Sequence, residues 1–314
     1  MKVRYGTRGS ALALAQSEQF AEDLARRRPG LEVERVVIQT GGDRFSLARP
    51  QASYGEEPKN VKAMFVKELE AALLAGTIDF AVHSSKDLPG ELPPGLAVAA
   101  FPERADPRDI YIGSPRAPRW QDIQAGTGRR VATAALRRQI QLRLSAPRVE
   151  FVTMRGNVDT RLRKLGAGAA DGLILAKAGL ERLGRGSVAH EVLPAEVIVP
   201  APGQGALAVE ARADRRDLLE LLAAVDHAAT RLEVECERTF LRLMGGGCRT
   251  PLGAWARSRE DGIDFQWFWA DLGGKNPCRG SFSCPRDPAA FAARARELAD
   301  RLRRDDALPG GGSR

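Results

Sequence analysis

At 314 residues the chain is too long for one small core, and two or three domains are the expectation. Hydrophobic residues at 43% and charged residues at 28% exclude a disordered polymer, and no apolar run approaches the roughly 20 residues that span a bilayer. The net charge of +8 is carried mainly by arginine, whose planar fork of donors suits carboxylate or phosphate; arginines on solvated faces would give the same sum.

The chain runs from Met1 straight into a strand-like pattern, without the apolar core of a signal peptide, so a soluble, cytoplasmic protein is expected. Val3 to Gly6 reads as a strand, and Ser10 caps an amphipathic helix to about Arg28. Leu31 to Gln39 alternates as a strand does, and the polar stretch Gly41 to Asn60 reads as a long mobile loop. A helix over Val66–Ala75 precedes strands at Ile78–Val82 and Leu96–Phe101. After the Pro-containing crossing at 102–107, strands are expected near Ile110, Val131, Val149, Leu173 and Val197, with helices starting near Ala135, Asn157 and Lys177. A second crossing, Pro200-Ala201-Pro202-Gly203, leads to a strand at Ala206–Glu210. Two α/β lobes joined by two short connections make a hinged cleft. From about Asp226 a long helix, a glycine turn, three short strands and a last helix read as an α+β domain, and the tail 309–314 as disordered.

The four cysteines (Cys236, Cys248, Cys278, Cys284) and three histidines lack metal-site spacing, so no metal site is expected. Cys236 reads as an inert helix residue, whereas Cys248 follows Gly245-Gly246-Gly247 and precedes Arg249. Such a turn lets a ligand approach closely, and a neighbouring cation favours thiolate; a flexible turn with an incidental thiol fits equally well. His83-Ser84-Ser85-Lys86-Asp87-Leu88-Pro89 follows a strand, where α/β sheets place their ligand crevice, although a surface Lys–Asp pair is the commoner origin of such a loop. Between Arg129 and Lys164 ten positive residues face two negative ones. Arg137 and Arg138, and then Arg155, sit where strands run into helix starts, and Arg8 sits at a third such place. With only Phe151 among these basic residues, small polycarboxylates or phosphates fit better than nucleic acid. Arg143, Arg148, Arg163 and Lys164 read as a solvated face.

Gly6-Thr7-Arg8-Gly9-Ser10-Ala11-Leu12-Ala13, Phe65-Val66-Lys67-Glu68-Leu69-Glu70, His83–Pro89, Leu136-Arg137-Arg138-Gln139 and Arg155-Gly156-Asn157-Val158 occur in that order. Thr160-Arg161-Leu162, Ala178-Gly179-Leu180, Pro202-Gly203-Gln204-Gly205-Ala206 and Gly246-Gly247-Cys248 follow. Together these motifs resemble the porphobilinogen deaminase family over nearly the whole chain. The resemblance implies a fold of two periplasmic-binding-protein-like α/β domains with a hinged cleft plus a C-terminal α+β domain. Its expected limits are 1–104 with 204–222, 105–203, and 223–314. It implies a transferase that condenses four porphobilinogen molecules, losing ammonia, on a dipyrromethane cofactor held through a thioether to Cys248, and releases 1-hydroxymethylbilane by hydrolysis.

Asp87 matches the family's catalytic aspartate. Lys86, Ser84, Thr133, Arg137, Arg138 and Arg161 match its cofactor contacts, and Asp87 also touches the cofactor. Arg8, Ser10, Arg155, Arg182, Gln204, Lys62 and Phe65 match its substrate side. A monomer with no membrane or nucleic-acid partner is expected. Two departures stand out. Ala134-Ala135 replaces two serines, removing hydroxyl contacts worth about 0.5–1.5 kcal/mol each. Asn60-Val61-Lys62-Ala63-Met64 replaces a glycine-rich run, which alters the expected lid. A non-catalytic anion receptor and a cysteine hydrolase are the competing readings; the Cys248 turn argues against the first, and the scarcity of histidines against the second.

Overall fold

The computed structural model describes residues 1–41, 63–245, 250–271 and 273–306. The first run of elements is β1 (Lys2–Arg8), α1 (Ala11–Arg27), β2 (Glu32–Ile38), α2 (Ala63–Leu74), β3 (Phe80–Ser84) and β4 (Leu96–Ala100). The second is β5 (Asp109–Gly113), α3 (Trp120–Ala125), β6 (Arg130–Ala132), α4 (Leu136–Ser145), β7 (Glu150–Val152), α5 (Val158–Gly166), β8 (Gly172–Ala176), α6 (Lys177–Arg182) and β9 (Glu191–Val192). Then come β10 (Leu207–Arg212), α7 (Arg216–Leu222) and α8 (Ala228–Leu243). The chain closes with β11 (Leu252–Ser258), β12 (Gly262–Trp269), β13 (Cys278–Pro285) and α9 (Pro288–Asp306).

Two five-stranded sheets have the orders β2-β1-β3-β10-β4 and β7-β6-β8-β5-β9. In each, one strand runs against its neighbours: β10 in the first sheet and β5 in the second. Each of these strands immediately follows a crossing, so each lobe borrows its odd strand from the segment that links it to the other. This is the periplasmic-binding-protein-like pair of α/β lobes, hinged at two crossings. The third unit is the antiparallel sheet β11-β12-β13, covered by α8 and α9 around Phe240, Phe265 and Phe291.

The first sheet is apolar on both faces, as a central sheet with helices on either side must be. Phe80, Val82 and Val209 pack towards Phe20 and Leu24 of α1; Ala81 packs towards Leu69 and Leu73 of α2. Gly6 permits the close approach of α2, because a Cβ there would lie 2.3 Å from Ile78 Cδ1 and 2.9 Å from Leu69 Cδ2. Ser10 caps α1 as the sequence suggests, accepting from Ala13 N at 3.3 Å. The strand expected near Val197 is not formed: residues 195–197 are a turn, and the edge strand is Glu191–Val192. Pro194 and Pro200 bracket that stretch and lack ladder donors, while Val197 N and Ile198 N fold back onto Pro194 O. The stretches expected as a mobile loop and a disordered tail lie outside the described residues, except for Gly41.

The crossings meet at one carboxylate. Glu237 of α8, fully buried, accepts from Arg104 Nη1 at 2.7 Å and Nη2 at 3.0 Å on the first crossing. It also accepts from Gly203 N at 2.6 Å on the second crossing and from Ala256 N of β11 at 3.0 Å. Gly203 and Gly205 hold φ of 72° and 86°, and a Cβ on Gly205 would lie 2.3 Å from Ala105 O. Only glycine permits that contact without strain. Removing one partner of a buried ion pair leaves the other charge uncompensated. Arg104→Met should therefore cost about 3–5 kcal/mol in urea unfolding; a loss below about 1 kcal/mol would show that the joint carries little stability.

Candidate active-site cleft

The wall of the first lobe is built at the carboxyl ends of β1 and β3. β1 delivers Arg8, and the next turn opens α1. β3 delivers Ser84, and a single 3-10 turn over Ser85–Asp87 turns Asp87 into the same concavity. Arg8, Ser10, Gln16, Ser84 and Asp87 line one pocket. Ser84 Oγ donates to Gln16 Oε1 at 3.0 Å, which ties the loop to α1. Gln16 was not singled out from the sequence; it lies on the buried face of α1, where a glutamine reads as helix filler.

The two lobes are joined through a chain of polar contacts. Lys86 Nζ reaches Gln204 Oε1 at 3.4 Å, and Gln204 Nε2 donates to Pro107 O at 2.7 Å and Asp109 Oδ1 at 3.0 Å. Asp109, fully buried at the start of β5, accepts from Arg137 Nη2 at 2.8 Å and from Arg138 Nη2 at 2.7 Å. Burial alone would push the Asp109 carboxyl up, but Arg137 and Arg138 outweigh it and hold it at about 2. Arg137 Nη1 donates to Val199 O and Arg138 Nη1 to Ile174 O. Guanidinium groups expected to face ligand carboxylates are thus engaged inside the protein. Asp109 was missed because its partners lie 28 and 29 residues further along the chain.

Thr133 is buried just before α4, and its hydroxyl accepts from Ala135 N at 3.4 Å. Ala135 occupies the N-cap position of α4 and supplies no side-chain acceptor. Arg155 follows β7, and Asn157 caps α5 by accepting from Thr160 N at 2.9 Å. Arg161 Nε donates to Gly156 O at 2.8 Å. Arg182 Nη2 donates to Gly205 O at 2.6 Å, at the second crossing.

These cations are held at a cost. Burial, reinforced by Arg138 and Arg155, lowers Arg161 to about 10; burial lowers Arg182 to about 10 against the pull of Glu181. Burial also brings Lys86 down to about 8, with Asp87 and Asp109 opposing and Arg138 and Arg137 adding to the fall. The charges acting on Arg161 are all positive, which marks a place suited to an anion. Arg143, Arg148 and Arg163 are exposed, as a solvated face requires. Cys236 is buried, and desolvation pushes its thiol well above the usual range, as befits an inert residue. Cys248, Lys62 and the Phe65 side chain lie outside the described residues, so their expected roles have no geometry here. α8 runs to Leu243 and Gly245 turns with φ of 87°, immediately before the glycines that lead to Cys248.

The sequence profile of "Porphobilinogen deaminase, dipyromethane cofactor binding domain" matches residues 3–220, which contain both five-stranded sheets. That of "Porphobilinogen deaminase, C-terminal domain" matches residues 231–284. The chain belongs to the porphobilinogen deaminase family. It is 43% identical to the porphobilinogen deaminase of Syntrophus aciditrophicus (strain SB) over 310 residues, covering 99% of this chain and 96% of that one. It is 46% identical to the porphobilinogen deaminase of Roseiflexus sp. (strain RS-1) over 257 residues, covering 82% of each chain.

Because Lys86 titrates near 8 in the folded protein against about 10.5 unfolded, the unfolded chain binds more protons between those values. This site's contribution to stability therefore grows as pH rises through that window and is lost as pH falls through about 8. Cofactor-free protein should gain more stability from pH 8 to 10.5 than its Lys86→Met variant does. Parallel pH profiles would contradict the depressed amine.

Proposed function

We propose that Asp87 is the catalytic group of this chain, that Cys248 anchors its cofactor, and that the cations around the cleft hold carboxylates. The reaction is that of the family: the enzyme, a transferase of tetrapyrrole biosynthesis, condenses four porphobilinogen molecules with loss of ammonia on a dipyrromethane cofactor and releases 1-hydroxymethylbilane by hydrolysis. The observation that carries the assignment of roles is the charge imbalance. Arg161 is depressed by burial and by neighbours of its own sign, and Lys86 by burial above all. A ligand with an acetate and a propionate on every ring supplies the missing negative charge, so the residues present fit the dipyrromethane. When bound, that group would supply the free pyrrole carbon to which the first unit is joined, each later unit joining the ring added before it.

In this reading Arg8 and Ser10 take the incoming substrate's carboxylates beside the positive end of α1, with Arg155 and Arg182 across the cleft. Asp87 accepts the pyrrole N–H. As the C–N bond of the substrate breaks and ammonia leaves, the Asp87 carboxylate stabilises the cation on the substrate's methylene carbon. Asp87 then takes the proton released from the pyrrole carbon once the new C–C bond has formed. Lys86, Ser84, Thr133 and Arg161 hold the cofactor side. Arg137 and Arg138 act there through Asp109 and Gln204, which fix the helix start that presents them. Lys62 and Phe65 belong to the substrate side in the same reading. With Ala134-Ala135 in place of hydroxyl residues, guanidinium and ammonium groups bear more of the carboxylate binding.

The domain limits 1–104 with 204–222, 105–203 and 223–314 are part of the same reading, with the two crossings as the hinge. So is a cytoplasmic monomer without a nucleic-acid partner. Among the described residues no helix is long and apolar enough to cross a membrane.

Intact-mass measurement tests the attachment. Purified protein should be heavier than its polypeptide by a dipyrrole, and porphobilinogen should add a ladder of pyrrole units. Cys248→Ser should lack both, and an adduct that survives it would place the anchor elsewhere. Asp87→Asn should keep the cofactor and the fold while turnover falls about 100-fold or more; near-normal turnover would remove Asp87 from the chemistry.

A further inference from the structure

Beneath the Ser84–Gly90 loop, the apolar layer between the first sheet and α2 and α8 contains four charged or titratable groups that the reaction does not use. His83 and Glu210 lie diagonally on adjacent antiparallel strands, since Ala208 pairs with His83 and Glu210 with Ala81. Their side chains meet at 3.0 Å between Nε2 and Oε2, at 3% and 0% exposure. The second oxygen of Glu210 has no partner among the described residues. From α2, Glu70 enters the same layer with Oε1 also unpartnered; burial first, and Glu210 next, push its carboxyl up, while His83 pulls it down. From α8, the buried Arg238 donates through Nη2 to Gly90 O at 3.3 Å, with Nη1 unpartnered. Burial and Arg242 lower it to about 10, and Glu210 opposes them, so one carboxylate acts on both Glu70 and Arg238.

Such groups are costly in an apolar layer unless they answer one another. Their placement indicates what they serve. His83 immediately precedes Ser84, and Gly90 ends the same loop, so the cluster grips the loop at both ends. Arg238 also belongs to the helix that leads to the Gly245 turn and Cys248.

We propose that His83, Glu210, Glu70 and Arg238 act as one buried charge cluster that positions the Ser84–Gly90 loop, and with it Asp87, against the helix leading to the attachment turn. They are positioning residues, acting through Asp87, and this rests on Asp87 being the catalytic group. The cluster spans the first lobe and the C-terminal unit, so a change on α8 is felt in the loop without any contact with the substrate.

The test uses hydrogen exchange of the 84–90 amides in full-length, cofactor-free protein, and turnover of the loaded enzyme. Glu210→Gln and Arg238→Met should each leave a cooperative fold but exchange the loop about tenfold faster. Each should lower kcat about tenfold with KM for porphobilinogen within about twofold, and Arg238→Lys should restore most of the loss. The double variant should be little worse than the poorer single one, because the two residues work as a unit. If Glu210→Gln fails to fold, Arg238→Met and Arg238→Lys give the same comparison from the helix side. Unchanged loop exchange in folded Arg238→Met overturns the proposal whatever turnover does. So do kcat losses that multiply in the double variant. Faster exchange with normal turnover would spare the cluster and count against Asp87 instead.

Discussion

Cations taken out of water must be answered by negative charge, and the architecture of this cleft follows from how that is done. Asp109 answers two of them. Sitting at the head of β5, it fixes Arg137 and Arg138 on α4 and receives Gln204 from the second crossing. Burial above all lowers Lys86 and Arg161; Asp87 and Asp109 oppose the fall at Lys86, while Arg138 and Arg155 deepen it at Arg161. The cleft is thus fixed along its hinge side and under-compensated along its ligand side. In the proposed reading, a growing polypyrrole gains a carboxylate pair with each unit and would meet such a surface without any change of partner type.

The hinge obeys the same logic at Glu237. One carboxylate gathers donors from both crossings and from the C-terminal sheet, so the two crossings are tied to α8 at a single buried point. The glycines at 203 and 205 allow the crossings to touch there. Both crossings and the helix that leads to the Gly245 turn are therefore held together, although they come from three parts of the chain.

Local patterns made much of this legible. The strand and helix periods located most elements of both lobes, though not α3, α7 or β9, and Ser10 signalled its helix start. Arg143, Arg148 and Arg163 are exposed as their pattern suggested, but Lys164, expected beside them, is half-buried and donates to Arg155 O at 3.3 Å. What stayed hidden was pairing at a distance. Asp109 reads as one polar residue before an apolar strand, and Glu237 as one charge on an amphipathic helix, because nothing nearby announces partners that only folding supplies. The strand expected near Val197 failed for a local reason, two prolines whose missing donors a hydropathy pattern does not register. The resemblance named Arg137 and Arg138 as ligand contacts but carried no sign that an internal carboxylate holds them first.

In the proposed reading, the cleft lacks negative charge until its cofactor is in place. Comparing thermal unfolding of cofactor-free and cofactor-loaded protein in one buffer tests it most directly. The loaded protein should melt higher by about 5 °C or more, as expected for a ligand that binds only the folded state. Adding salt should narrow the gap, because part of it is electrostatic. Equal melting temperatures would mean that the buried cations are already satisfied within the polypeptide, and the account of the cleft would be wrong.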